Sequence, residues 1–259
     1  MLCYNIVTLK KEKALLSLPR FFVDVNNKND NLIYITQDEN VHLNSVLRLR
    51  VGDDIDVCLN DGIVHNCTLI EVGKKQSIAQ INTSIIKDNH SNITLFMALI
   101  KAERMDWAVQ KVTELNVASI VPFESEYCTV KDKGNKIERL NRIAVSASKQ
   151  CGRAVLPCIQ ETLPFALLLD KLKEFNQIIV AYENETQNAK EILSKLDKTK
   201  SIALVIGSEG GFSEAEIEKL KALGAKVVSL GQTILRAETA CVALVSAVNY
   251  QLDFWEKNK

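Results

Sequence analysis

The chain has 259 residues, 47% of them hydrophobic and 25% charged, and its 32 basic side chains are matched by 32 acidic ones. Such a balance gives enough apolar material for one or two buried cores and excludes a chain that stays disordered. The longest apolar runs, "ITLFMALI" from Ile93 and "CVALVSAV" from Cys241, fall far short of the roughly 20 residues of a membrane span, and the N-terminal stretch makes a poor signal peptide because its lysines follow a short apolar segment with no cleavage site. A cytoplasmic protein with no membrane partner is expected.

Through about residue 88 the pattern is strand-like. Ile55, Val57 and Leu59 alternate with polar positions, and the "NDG" turn at Asn60 to Gly62 leads into Ile63 to Ile70, which predicts a hairpin. One helix interrupts, in "DENVHLNSVLRL", and the half as a whole reads as a small β-barrel. "KDNHSN", Lys87 to Asn92, is the expected linker. Beyond it the pattern becomes strands alternating with helices, that of a parallel sheet covered on both faces. The order is "ITLFMALI", a helix over 103 to 116 with Met105, Ala108, Val109, Val112 and Leu115 on one face, "ASIVPF", a helix over Lys136 to Lys149, "QIIVAY", a helix near Ala189 to Leu196, a strand at Ala203 to Ile206, "KVVSL", and a last helix from about Ala237 to Trp255. That last helix is apolar nearly all round, so it is buried in the core or against a second subunit.

Seven cysteines are scattered without a C-x-x-C pair and with three histidines in the whole chain, which argues against a disulfide framework and against a zinc site. Cys151 has no histidine near it in sequence and is a poor candidate nucleophile. From Lys131 to Arg153 seven basic residues stand against two acidic ones. A solvated helix face explains most such runs, and a phosphate-binding edge is the sharper alternative.

Two loops carry the chemistry. In "LVIGSEGGFSEAEIEKL" a buried strand runs into Gly207, Gly210 and Gly211, and Ser213 with Glu216 three residues on is a capping box that opens a helix. Strand, glycine loop and helix form a unit that lets a ligand approach the backbone. The spacing matches neither the dinucleotide nor the P-loop pattern, and Glu209 would bring a carboxylate toward an anion, so a neutral or cationic ligand suits the loop better. Soon afterwards "VVSLGQTILRAETACVAL" repeats the arrangement around Gly231, and two such loops at neighbouring strand ends can share one pocket.

The ordered motifs "KAERMDWAVQKVTELNV", "KQCGRAVLP", "IGSEGGFSEAE" and "LGQTILRAETA", behind "PRFFV" and "HLNSVLRLRVGD", make the chain resemble the RsmE family of ribosomal RNA uridine methyltransferases over about Pro19 to Leu252. The resemblance implies a SPOUT-class methyltransferase domain with a C-terminal trefoil knot over 89 to 259, a PUA-like RNA-binding barrel over 19 to 88, an extension at 1 to 18, and a homodimer. It implies transfer of a methyl group from S-adenosyl-L-methionine to N3 of a uridine in the decoding region of 16S rRNA, presented naked or in the assembled small subunit, with no metal. By the same resemblance Gly207, Glu209, Gly210, Gly211, Leu230, Gly231, Ile234, Leu235 and Arg236 hold the cofactor. Arg104, Gln110, Glu114 and Arg236 form the catalytic set, and Arg20, Lys101, Arg139, Arg142, Gln150 and Arg153 contact RNA. Taken alone, Lys111 with Glu114 reads as a surface helix pair and Gln110 as a polar helix face.

Four positions depart from the family pattern: Ser208 where proline is usual, Thr233 for arginine, Lys149 for glutamate and Asn116 for glycine. The first two leave the glycines intact, whereas Lys149 reverses a charge beside the expected substrate site. Two rival readings are a SPOUT enzyme acting on tRNA or another rRNA position, against which the barrel and "KQCGR" argue, and a non-catalytic RNA-binding module, which would leave both glycine loops without purpose.

Overall fold

A computed structural model of the chain describes residues 18–87, 91–132, 134 and 136–255. The expected extension up to residue 17 and residues 88–90 of the expected linker therefore lie outside the described residues. The chain divides into two compact units, Met1–Asn89 with Gly152–Val155, and His90–Cys151 with Leu156–Lys259.

The first unit is a curled six-stranded sheet. Its strands are β1 (Arg20–Phe22), β2 (Lys28–Asn29), β3 (Leu32–Thr36), β4 (Asp54–Cys58), β5 (Ile63–Val72) and β6 (Gln76–Ile86), in the order β1-β4-β5-β6-β3-β2. All neighbours are antiparallel except β1 with β4. The long β5–β6 pair shifts register at Asn66/Cys67 and again at Leu69/Glu71, and such bulges increase twist and let a sheet wrap around its own core. Phe21, Ile33, Ile35, Ile55, Val57, Leu69 and Ala79 point inward from every long strand. The predicted hairpin is present, with Asn60 and Gly62 in positive-φ conformations at 63° and 83°. The interrupting helix α1 (Gln37–Val41) continues into a wider turn over His42–Val46. Buried Asn40 anchors it by donating to the carbonyls of Gly73 and Lys74 and accepting from Ser77 Oγ at 2.6 Å.

Gly152–Val155 belong to this unit through Arg20, which donates to the Arg153 carbonyl and pairs with Asp56, each at 2.9 Å. Ala154 completes a small cluster with Cys58, Val64 and Phe22.

The second unit is an α/β layer. Its strands are β7 (Ile93–Ala98), β8 (Ser119–Glu124), β9 (Cys158–Ile159), β10 (Leu163–Pro164), β11 (Gln177–Ala181), β12 (Ile202–Ile206) and β13 (Lys226–Val228). They run parallel in the order β10-β8-β7-β12-β11-β13, with β9 beside β8. The helices are α2 (Ala102–Glu114), α3 (Lys136–Cys151), α4 (Phe165–Leu172), α5 (Ala189–Leu193), α6 (Glu214–Ala222) and α7 (Ala237–Gln251).

Every residue of β7 and of β12 is buried, as expected where both faces are covered. Leu95, Met97, Leu204 and Ile206 pack with α2, α3 and α7, while Phe96, Ala98, Ala203 and Val205 pack with α4 and α6 on the other face. Helix α4 was not anticipated: it is one of the shortest in the unit and only Leu168 and Leu172 are buried in it, too few to show a helical period.

The strand order places the site. From β7 the chain steps outward to β8 and β10, crosses to β11, then returns to lay β12 between β7 and β11 before ending the sheet with β13. Ala181 is register partner to both Ile206 and Val228, so the carboxyl ends of β11, β12 and β13 lie level and side by side. Three successive loops are thus gathered at one edge, where open α/β sheets take their ligands.

Candidate functional site

A cavity of about 410 Å³ lies among those loops, within the size range of small-molecule sites. Gly207, Glu209 and Gly211 line it from the β12 loop, and Leu230, Gly231, Ile234, Leu235 and Arg236 from the β13 loop. Arg104, in the first turn of α2, joins them.

The β12 loop closes as a tight turn in which Gly211 N–H donates to the Ser208 carbonyl at 3.0 Å, with Gly211 at φ +72°. A side chain at Gly207 would put its Cβ 3.0 Å from the Phe212 ring and 3.1 Å from the Gly211 carbonyl carbon. That glycine is therefore required by space. The predicted capping box is present: Ser213 Oγ accepts from Glu216 N–H, and Glu216 Oε2 accepts from Ser213 N–H at 3.1 Å. The other Glu216 oxygen accepts from the Glu126 N–H at 2.9 Å, tying the end of the loop to the turn after β8. In the β13 loop Gly231 sits at φ +139° with nothing within 4 Å of the place a Cβ would take, so its backbone is open to the cavity.

Arg104 is held by two carboxylates. Its Nη1 is 3.0 Å from Glu209 Oε1 and its Nε 3.8 Å from Glu238 Oε1 in the first turn of α7. Glu209 is thus charge-compensated. Arg236 is the N-cap residue of α7 and makes no side-chain cap bond, while Ala237 and Ala240 carry the start of that helix into the cavity wall.

Other expected site residues lie elsewhere. Gly210 does not line the cavity: a Cβ there would meet Tyr127 Cβ at 2.9 Å, on the side of the β8 loop. Gln110 is exposed on α2, and Glu114 pairs with Lys111 at 2.8 Å. Lys101 is the exposed N-cap residue of α2. Arg139 pairs with Asp106 at 3.1 Å and Arg142 with Glu138 at 3.3 Å along α3, with Gln150 exposed near its end. Arg20 and Arg153 are committed within the first unit: the Arg20 guanidinium is buried against Asp56, and Arg153 Nε donates to the Val155 carbonyl.

The β11 end was missed. Ala181, Tyr182 and Glu183 line the cavity, as do Ser208, Phe212, Ser229, Gln232, Thr233, Ala237 and Ala240. The signal in the sequence is the strand "QIIVAY" itself, whose carboxyl end falls beside the glycine loops in a parallel sheet.

Two departures from the family pattern acquire reasons. Asn116 follows the C-cap residue Leu115 of α2 with φ +64°, a left-handed position that asparagine tolerates best after glycine. Ser208 keeps the tight turn through its backbone carbonyl. The cysteines stay chemically quiet where they are buried: burial pushes the thiols of Cys58 and Cys67 up to about 11 and about 12, and that of Cys241 further still. Among the described residues no cluster of three or more His, Cys, Asp or Glu is arranged to hold a metal ion.

An all-parallel sheet whose three successive strand-end loops enclose one cavity, in a chain that also carries a curled PUA-like sheet, defines an RNA methyltransferase of the SPOUT class. The model of the RNA methyltransferase domain matches residues 87–249 and that of the RNA methyltransferase PUA domain residues 35–82. The ribosomal RNA small subunit methyltransferase E of Bacillus subtilis is 31% identical over 250 residues, covering 91% of this chain and 98% of that one. A crystal structure of the enzyme of that name from Neisseria gonorrhoeae, bound to S-adenosyl methionine, aligns with TM-score 0.82 and 30% identity over 90% of this chain and 97% of its own. A methyltransferase structure from Legionella pneumophila, in complex with the same cofactor, aligns with TM-score 0.82 at 25% identity over 91% and 98%. The chain belongs to the ribosomal RNA small subunit methyltransferase E family.

Proposed function

We propose that the chain transfers a methyl group from S-adenosyl-L-methionine to N3 of a uridine in the decoding region of 16S rRNA. The observation that carries this reading is the cavity enclosed by the β11, β12 and β13 loops in a chain matched nearly end to end by relatives of that name. The residues fit the cofactor. Backbone-lined walls around Gly207, Gly211 and Gly231 admit an adenine ring and a ribose closely, and the apolar parts of Phe212, Leu230, Ile234 and Leu235 supply the remaining surface. When bound, the cofactor supplies an electrophilic methyl group on a sulfonium.

Uracil N3 carries a proton and becomes a nucleophile only as that proton leaves, so negative charge develops on the flanking carbonyl oxygens. Arg104 and Arg236, both on the cavity wall, can stabilise it. Glu209 and Glu238 hold the Arg104 guanidinium in a fixed orientation, which reduces the reorganisation needed during reaction. Gln110 and Glu114, outside the cavity on the exposed side of α2, act in this reading on the RNA rather than on the methyl group.

The PUA-like unit and the α3 residues Arg139, Arg142 and Gln150 hold the RNA, with Lys101 at the start of α2; Arg20 and Arg153 support this function by keeping Gly152–Val155 on the first unit. A homodimer is part of the proposal. The half-buried Val242, Ala243, Ser246 and Ala247 of α7 lead to exposed Tyr250, leaving an apolar strip suited to a second copy. The test is calorimetric titration with S-adenosyl-L-methionine followed by methyl transfer to 16S rRNA or purified small subunits. Micromolar binding and incorporation of one methyl group per subunit are expected; no cofactor binding would remove the proposal.

A further inference from the structure

We infer that Glu183 is an anionic counter-charge for a cationic centre of the cofactor, so that this chain recognises the charge of its ligand from the β11 loop as well as its shape from the glycine loops. The inference rests on the proposed cofactor reading. Glu183 lies two residues beyond the end of β11 and lines the cavity. The place a Cβ would occupy at Gly211 is taken by the Glu183 carboxylate. Gly211 thus leaves room for an acid laid over the β12 loop at the cavity wall.

The neighbouring carboxylates are spoken for. Glu209 and Glu238 face Arg104, and Glu185 pairs with Lys221 at 3.1 Å and accepts the Thr186 N–H at 2.9 Å. Among the described residues no ion pair or hydrogen bond engages the Glu183 side chain. An uncompensated carboxylate on the wall of a small cavity favours a cation there, and the attraction strengthens as a ligand displaces water around it.

S-adenosyl-L-methionine carries two cationic centres, its sulfonium and its α-ammonium. S-adenosylhomocysteine keeps only the second, and 5′-methylthioadenosine has neither. The three ligands therefore separate the possible sources of the effect. The experiment is calorimetric titration of all three into the wild-type chain and into Glu183→Gln at low and moderate salt. Glu183 is exposed, so the substitution should leave thermal unfolding of the ligand-free protein unchanged.

An affinity loss of about 5- to 10-fold is expected for S-adenosyl-L-methionine, smaller at higher salt, with 5′-methylthioadenosine affected less than two-fold. A matching loss for S-adenosylhomocysteine assigns the interaction to the α-ammonium, and an unaffected S-adenosylhomocysteine assigns it to the sulfonium. Equal losses for all three ligands, or no loss for any, overturn the inference, because the carboxylate would then recognise the nucleoside or nothing. Failure of the wild-type chain to bind any of the three would instead strike the cofactor reading itself.

Discussion

Substituting Gly207 with alanine adds a single methyl group where the β12 loop leaves no room for it. The new Cβ would lie 3.0 Å from Phe212 Cε2 and 3.1 Å from the Gly211 carbonyl carbon, roughly 0.5 Å inside comfortable carbon–carbon separation. Neither neighbour can yield freely. Phe212 is buried and its ring lies nearly parallel to that of Phe123, with interplanar angle 9°, and the other obstacle is backbone.

Overpacking of this kind costs about 1–3 kcal/mol. Moving Ser208–Gly211 outward relieves it at the expense of the surface that meets the ligand. Cofactor affinity should then fall about 5- to 150-fold, while the melting temperature of the ligand-free chain drops by no more than about 10 °C. Calorimetry and thermal unfolding on the same preparation measure both. Lost melting temperature with affinity within two-fold of wild type would refute the placement of this loop against the ligand, and no change in either would refute the packing argument.

Gly210→Ala should behave differently: its Cβ would press on Tyr127 Cβ, away from the cavity, so stability falls more than affinity, and adding it to Tyr127→Gly, which lacks the clashing atom, should cost less melting temperature than adding it to the wild-type chain. Arg20→Ala leaves Asp56 and the Arg153 carbonyl without their partner, which should cost about 3–5 kcal/mol and speed amide exchange at Gly152–Val155. Burial holds the His65 imidazole below its ordinary pKa. The unfolded chain therefore binds the extra proton first, and stability of the first unit should decline as pH falls below about 6.5, a slope that His65→Gln flattens in pH-dependent urea melts. Arg142 is exposed and pairs with Glu138 one helical turn away. If it meets a phosphate, Arg142→Ala lowers the salt slope of RNA binding by about 0.7–0.9, and an unchanged slope makes it an ordinary surface residue.

The elements that sequence made legible are those whose side chains repeat with a single period. Alternation in Ile55 to Leu59, the "NDG" turn, the apolar run of β12 and the Ser213–Glu216 capping box each encode local geometry in adjacent residues, and each has its counterpart in the structure. Both glycine loops were likewise visible. What local pattern could not show is strand order. β12 enters between β7 and β11, and that insertion brings Glu183 beside Gly211.

Direction within a loop was equally hidden. Gly207, Gly210 and Gly211 look equivalent in the string, yet one faces an aromatic ring, one Tyr127 and one Glu183. Arg20 and Arg153 read as RNA contacts through the family resemblance, which says nothing of what else their guanidinium groups meet. The partners of Arg20, Asp56 and the backbone carbonyl of Arg153 more than a hundred residues away, are long-range facts. Resemblance to the family supplied the chemistry that neither periodicity nor composition contains.

The central claim is tested most directly by mapping methylated nucleotides in 16S rRNA from cells lacking this protein, alongside cells restored with the wild-type chain or with Gly207→Ala. Loss of one N3-methyluridine in the decoding region, its return with the wild-type chain and a weak return with Gly207→Ala are predicted. Persistence of that methyl group in the deletion strain, or loss of a different modification, would contradict the account.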